Sequence, residues 1–185
     1  MRQEATPEQS SRIRLICLAC TRPQMIQYRT WAQTLSDPIE LIAVDVPSAV
    51  QPSTLATAYP STALAEILAE RLQPYLAQPH AVFGQAAGAP LALALTQLAQ
   101  GKHPGQTRHL FVSSCDSPEL SAAPVIQVPM TVLYPPGSMA AMLGWHAPAR
   151  RALELIELPL PSAGSSLLNQ RLVRIFNAHL GLLSF

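Results

Sequence analysis

The sequence predicts an α/β fold built on a doubly wound, mostly parallel sheet. Three observations carry this expectation. Short apolar runs, several of them rich in β-branched residues, alternate with longer stretches of helical periodicity. The runs are almost continuously apolar, as strands buried on both faces require. The segments between most of them are long enough for crossover helices.

The elements follow in order. Residues 1–12 are polar and are expected to form a flexible N-terminal tail, with 13–185 as a single domain. Ile13-Arg14-Leu15-Ile16-Cys17-Leu18 reads as the first strand, and Met25, Tyr28, Ala32 and Leu35 mark a helix over 25–35. Ile39 to Val46 is a second strand ended by Pro47, followed by a polar loop broken at Pro47, Pro52 and Pro60. Ser61 and Thr62 start an amphipathic helix whose Leu64, Ile67, Leu68, Leu72 and Leu76 recur at helical spacing. Ala81-Val82-Phe83 is the next strand. It runs into a turn from Gly84 to Gly88 and a helix from Ala89 to about Gln100, ended by Gly101. Further strands are expected at Arg108–Ser113, Met130–Tyr134 and Leu153–Leu158. Ser165 or Ser166 caps a final helix with Leu168, Leu172, Ile175, Phe176 and Leu180 on its apolar face. Sheets of this kind bind ligands at the carboxyl ends of their strands, so the residues just after each strand matter most.

Composition narrows the function classes. A chain of 185 residues suits one domain with a sizeable core. Charged residues make up 12%, against roughly 25% in an ordinary soluble domain. Either Gln, Ser, Thr and Pro cover the surface, or a partner or second copy covers a patch of it. The net charge of +1, with no basic cluster, argues against nucleic-acid binding. The first residues lack the apolar core of a signal peptide, and no run of about 18 apolar residues occurs, so no membrane role is expected. Cys17, Cys20 and Cys115 show no metal-ligand pair spacing backed by histidines; a reducing, cytoplasmic setting without metal or cofactor is expected. The Cys17-x-x-Cys20 pair reads as small core residues at a buried strand end.

The motif with most chemical content is Val82-Phe83-Gly84-Gln85-Ala86-Ala87-Gly88. It has the outline of the G-x-S-x-G nucleophile elbow of serine hydrolases, a sharp strand-to-helix turn. Gly84 and Gly88 frame it, but Ala86 stands where the serine belongs, and a methyl group cannot attack a carbonyl.

Several segments agree, in order, with one family. Tyr28-Arg29-Thr30-Trp31-Ala32, Ile39 through Pro47, Leu64 through Pro74, Ala81 through Gly84, Arg108 through Ser113 and Val128 through Leu133 carry the agreement. On these the chain resembles type II thioesterases, free-standing α/β-hydrolases of polyketide and nonribosomal peptide assembly lines. The resemblance implies an α/β-hydrolase-like fold and a Ser-His-Asp triad.

The departures fall on the chemistry. The family has Gly-His-Ser-Met-Gly at the elbow; here it is Gly84-Gln85-Ala86-Ala87-Gly88. The family's Pro-His-Ala-Gly-Gly oxyanion loop is here Ala19-Cys20-Thr21-Arg22-Pro23, and Pro23 has no N–H to donate. Tyr134-Pro135-Pro136-Gly137-Ser138 has no acid where the family carries one, and the earlier position used by some relatives falls near Ser113. The family's Gly-Gly-His after the last strand is here Pro161-Ser162-Ala163-Gly164. Ser114 to Gln127 is too short for the helical lid that the family inserts there, so a lid-less form is expected.

Among the remaining reactive residues, Cys20 aligns near the former active site and would need a base to lower its pKa. His146 could serve if it lay on the ligand face, which makes Cys20/His146 a candidate pair against ordinary packing. Asp116, beside Cys115, reads as a turn residue, and Asp45 as a surface or turn residue. The apolar end, Leu180 to Phe185, reads as a segment folded back on the body or as an interaction tail. The first functional expectation is a catalytically inactive thioesterase-like protein that binds a carrier protein, a synthase domain or a second copy of itself as a homodimer. The alternatives are an enzyme with rebuilt chemistry (a cyclase, lyase or acyl-transfer catalyst) and a non-catalytic subunit complexed with an active thioesterase.

Overall fold

The computed structural model describes residues 12–49, 61–113, 125–159 and 166–181. Six strands form one parallel sheet: β1 (Ile13–Ala19), β2 (Ile39–Asp45), β3 (His80–Gln85), β4 (Thr107–Ser113), β5 (Met130–Tyr134) and β6 (Leu153–Glu157). Their spatial order is β2-β1-β3-β4-β5-β6. The chain moves outward from β1 to β2, then crosses back to β3 on the other side of β1. The topological switch point therefore lies between β1 and β3.

Helices cover both faces. They are α1 (Arg22–Ala32), α2 (Val46–Ala49), α3 (Ser61–Arg71), α4 (Gln73–Leu76), α5 (Gly88–Lys102), α6 (Met139–Met142) with a 3-10 turn over Leu143–His146, and α7 (Ser166–Gly181). The strands alternate between two cores, as a period of two requires. Ile16, Leu18, Val82, Leu110, Val112 and Val132 pack with α3 and α5 on one face. Cys17, Ala81, Phe83, Phe111 and Leu133 pack on the other face against Tyr28 and Trp31 of α1 and Phe176 of α7. The rings of Trp31, Phe83 and Phe176 meet at 5.3–5.5 Å between centroids, within the range of favourable aromatic pairs.

The strands lie where the apolar runs placed them, but several helix boundaries differ; α1 ends at Ala32 rather than Leu35, and the helix expected through Leu76 is divided at Leu72 into α3 and α4. Helix α1 begins at Arg22, not Met25, because Thr21 and Gln24 form a reciprocal capping box and Pro23 needs no N–H partner in the first turn. Pro47 lies inside a short helical turn after β2 rather than in a loop. Gly101 does not end α5: nothing crowds the glycine, and the helix runs on to Lys102 with His103 as its C-cap.

The turn from β3 into α5 is set by backbone contact. A Cβ on Gly84 would overlap the carbonyl oxygen of Gly88 and come within 2.7 Å of Ala92 Cβ. Strand and helix thus approach to a distance only glycine allows at position 84. Between them Ala86 adopts φ 50, the positive-φ non-glycine residue among those described. Its N–H donates to the carbonyl of Ser113 at the end of β4 at 3.0 Å, and its own carbonyl accepts from Ala89 at 3.0 Å.

Two predictions follow the geometry. Gly84→Ala should destabilise the fold by about 3 kcal/mol or more, because the clash is with backbone. Ala86→Gly should stabilise it by about 0.5–1 kcal/mol by relieving the left-handed strain. Denaturant melts check both. A third concerns pH. Burial lowers His80 from 6.5 to about 4; burial and then the neighbouring His179 lower His109 from 6.5 to about 3. Both rings are held neutral in the fold, and between those values and 6.5 the unfolded chain binds more protons. Their contribution to stability is complete above pH 6.5 and is lost as pH falls towards about 3. The melting temperature should fall over that window, less steeply in His109→Leu.

Candidate active site

The turn Gly84–Gly88 stands at the carboxyl edge of β3, beside the end of β1, at the switch point. Gln85 is half-buried, whereas Ala86 and Ala87 are exposed. The methyl group of Ala86 therefore occupies the accessible apex of the turn. The side-chain oxygen Oε1 of Gln85 is buried and has no hydrogen-bond partner; leaving such an acceptor unmet costs about 1–3 kcal/mol.

Cys20 lies against this turn. A Cβ on Gly88 would sit 3.5 Å from Cys20 Sγ and 3.3 Å from the Leu18 carbonyl oxygen. Burial pushes the Cys20 thiol up, away from the nucleophilic thiolate. Cys17 is fully buried in the aromatic core, and burial pushes its thiol up further. Both are free thiols.

The loop after β1 is where an acyl-transfer enzyme would hold donors for an oxyanion. Two of its N–H groups are already engaged. Cys20 and Thr21 both donate their backbone N–H to Gln24 Oε1, at 2.8 and 3.2 Å. The missing glycines and Pro23 mark the loop as altered, but Gln24 is the residue that occupies its donors. The Thr21-x-x-Gln24 capping pattern was the signal for it.

The structure does not bring Cys20 and His146 together. Cys20 follows β1 at the carboxyl edge. After β5, α6 and the 3-10 turn carry the chain back down the sheet. Ile126, which precedes β5, donates to the carbonyl of Pro148 at 2.9 Å and accepts from Arg150 at 3.2 Å. His146, exposed and two residues before Pro148, therefore lies towards the amino edge. The crossover length was visible in the sequence, but the Ile126–Ala149 bridge that fixes where it lands was not.

The other histidines serve structure. His80 opens β3 at the amino edge, and its ring bonds the Gln78 carbonyl and Thr107 at 2.8 and 2.9 Å. His109 bonds Thr131 at 2.8 Å. His179 on α7 contacts the Ile175 carbonyl at 2.8 Å and Glu154 at 2.6 Å. His103 caps α5, which runs away from the turn. Among the described residues, no group of three or more His, Cys, Asp or Glu could hold a metal ion. No helix among them is long and apolar enough to cross a membrane. Cys115 and Asp116, residues 114–124 of the Ser114–Gln127 connection expected to be too short for a lid, the loop 160–165 and the end 182–185 lie outside the described residues.

A cavity of about 1050 Å³ opens beside the turn, between α1 and α7. Gln24 and Gln85 border it, and Trp31 and Val173 contribute its apolar lining.

Known proteins share this architecture. RedJ, a thioesterase from the prodiginine biosynthetic pathway in Streptomyces coelicolor, is similar with a TM-score of 0.73 and 17% identity, over 97% of this chain and 91% of that chain. The type II thioesterase BorB from the borrelidin biosynthetic cluster is similar with a TM-score of 0.72 and 19% identity, over 96% and 95%. ClbQ from the colibactin NRPS/PKS pathway is similar with a TM-score of 0.71 and 16% identity, over 94% and 98%. At these identities the likeness shows the fold, which is α/β-hydrolase-like. No curated protein sequence matches significantly. The family model described as the thioesterase domain matches residues 14–127, more than half of the chain. By that match the chain belongs to the thioesterase domain family.

Proposed function

We propose that this chain is a catalytically inactive thioesterase-like protein, working as a binding or assembly partner in polyketide or nonribosomal peptide biosynthesis. The observation that carries the reading is Ala86: exposed, at φ 50, at the apex of a turn whose backbone is that of a nucleophile elbow. Covalent thioester hydrolysis needs a hydroxyl or thiol there, a base within hydrogen-bond reach and an acid to orient the base. The side chain at position 86 has no heteroatom. Each histidine of the described strands and helices is placed elsewhere, and the loop 160–165 contains none.

Gln24 adds a second argument. Oxyanion stabilisation needs N–H donors aimed at empty space where charge will develop. Here Gln24 Oε1 takes two of them in the resting fold. Cys20 as a replacement nucleophile is disfavoured by the raised thiol and by the placement of the His146 segment beside Ile126, ahead of β5.

The pathway context comes from the similar structures, whose names place them in prodiginine, borrelidin and colibactin biosynthesis. A carrier protein, a synthase domain or a second copy is the partner this reading requires, met in the cytoplasm. Exposed Ile26 on α1 and Leu167 on α7, with 59% and 67% of their surface open, suit contact with another molecule.

Purified protein given acyl-thioesters of several chain lengths should release thiol at the background rate. Ala86→Ser should stay at background too, because no base serves the new hydroxyl. Turnover by the natural chain that disappears in Cys20→Ala would establish rebuilt chemistry instead. Turnover that survives Cys20→Ala would overturn the non-catalytic reading altogether.

A further inference from the structure

The cavity between α1 and α7 has a lining whose chemistry the thioesterase reading does not use. Two helical stripes face each other across it. Gln24, Gln27 and Thr30 recur every three residues along α1, and Asn169, Gln170 and Asn177 share one face of α7 with Ser166, Val173 and Arg174. Five of these side chains are carboxamides, and Gln85 adds another at the end nearest the turn.

Each carboxamide on the two helices is held at one end and leaves the other unused. Gln24 Oε1 takes the Cys20 and Thr21 N–H groups, which leaves Nε2. Gln27 Nε2 donates to Asn169 Oδ1 at 2.7 Å, which leaves Gln27 Oε1 and Asn169 Nδ2. Asn169 Oδ1 also accepts from the Trp31 indole at 3.0 Å, so its orientation is fixed. Asn177 Oδ1 accepts from Ser36 N–H at 3.0 Å, which leaves Nδ2. The groove therefore presents donors from Gln24, Asn169 and Asn177 and an acceptor from Gln27, with Trp31 and Val173 buried beneath them. Gln85 Oε1, buried without a partner, is an acceptor that a turn of its side chain would add.

We propose that this groove binds an extended peptide segment of a partner protein, recognised through its backbone amides. A secondary amide offers one donor and one acceptor per residue, which carboxamides match at both ends and charged side chains do not. The size agrees. From Ser166 to Asn177 the α7 wall runs about 16 Å at 1.5 Å per residue. That length accepts about five residues of extended chain at roughly 3.3 Å each. Arg174 is the cation in the lining and would favour an acidic residue in the segment.

This goes beyond the non-catalytic reading and stands or falls separately, because its test reads binding and not thiol release. The probe is acetyl-pentaalanine-amide, titrated into the full chain while the side-chain amide resonances of Gln27, Asn169 and Asn177 are followed by NMR. These signals should shift saturably. The same peptide N-methylated at every amide keeps the acceptors and loses the donors; it should bind at least tenfold more weakly. Gln27→Leu/Gln85→Leu should weaken the parent peptide at least fivefold. Thr30→Trp, a change at an exposed position that fills the groove from its wall, should abolish the shifts while the melt stays cooperative. No saturable shift up to about 10 mM peptide, equal binding of the N-methylated peptide, or shifts that map away from α1 and α7 would each overturn the proposal.

Discussion

The close approach of Gly84 to Gly88 is the contact on which the site depends. It sets β3 against the first turn of α5 with no side chain between them. The three residues between them, Gln85, Ala86 and Ala87, then have to reverse the chain. Ala86 takes a left-handed conformation, which costs an L-residue about 1–2 kcal/mol. The Ser113 carbonyl at the neighbouring strand end holds its N–H, so β4 shares in fixing the turn. β3 is an interior strand, paired with β1 and β4. The elbow geometry is thus tied to the core of the sheet. A change of side chain at position 86 leaves the backbone no reason to relax, which explains how the form of a nucleophile elbow can exist without a nucleophile.

The strands were legible because burial on both faces removes polar residues from them. Leu15–Leu18, within the strand expected over Ile13–Leu18, and Ala81–Phe83 read as unbroken apolar runs in the sequence and lie in adjacent strands of the sheet. Helix boundaries were less legible, since they depend on single side chains. Thr21 and Gln24 moved the start of α1 by a full turn through two reciprocal hydrogen bonds. Gly101 misled because a glycine with open space around it has no structural task, and α5 passes through it. Composition and spacing do not distinguish such a glycine from one that ends a helix in a left-handed cap.

The site was legible in part, for a different physical reason. The elbow is local: five consecutive residues carry its pattern. The groove is not. Gln27 and Asn169 are separated by 142 positions and meet through one hydrogen bond. Taken singly, each is an ordinary polar residue on the outer side of an amphipathic helix. Only the packing of Trp31 and Phe176 over Phe83 brings α1 and α7 side by side and turns two solvated faces into opposing walls. His146 failed as a candidate for a related reason. Its place in sequence, after β5, is local; its place in space follows from a long-range bridge between Ile126 and Ala149.

Gln24 shows why stability and acyl-transfer chemistry pull this loop in opposite directions. An oxyanion hole works because its donors wait for a charge that is absent in the ground state. Donors kept waiting forgo a hydrogen bond, worth about 0.5–1.5 kcal/mol each. In this chain the Cys20 and Thr21 N–H groups are satisfied by a side chain from the same helix turn, and the capping box secures the start of α1 in the same act. On the non-catalytic reading, nothing opposes that gain. Removing a serine hydroxyl from an exposed apex costs the fold little, and filling an idle donor pair stabilises it. Rebuilding the enzyme would need a nucleophile on the elbow, a base and an acid on two other loops, and the release of Gln24 from the donors it now holds, with no stabilising step among them. The fold can therefore keep the elbow as part of its core while the surface beside it is free to take up binding.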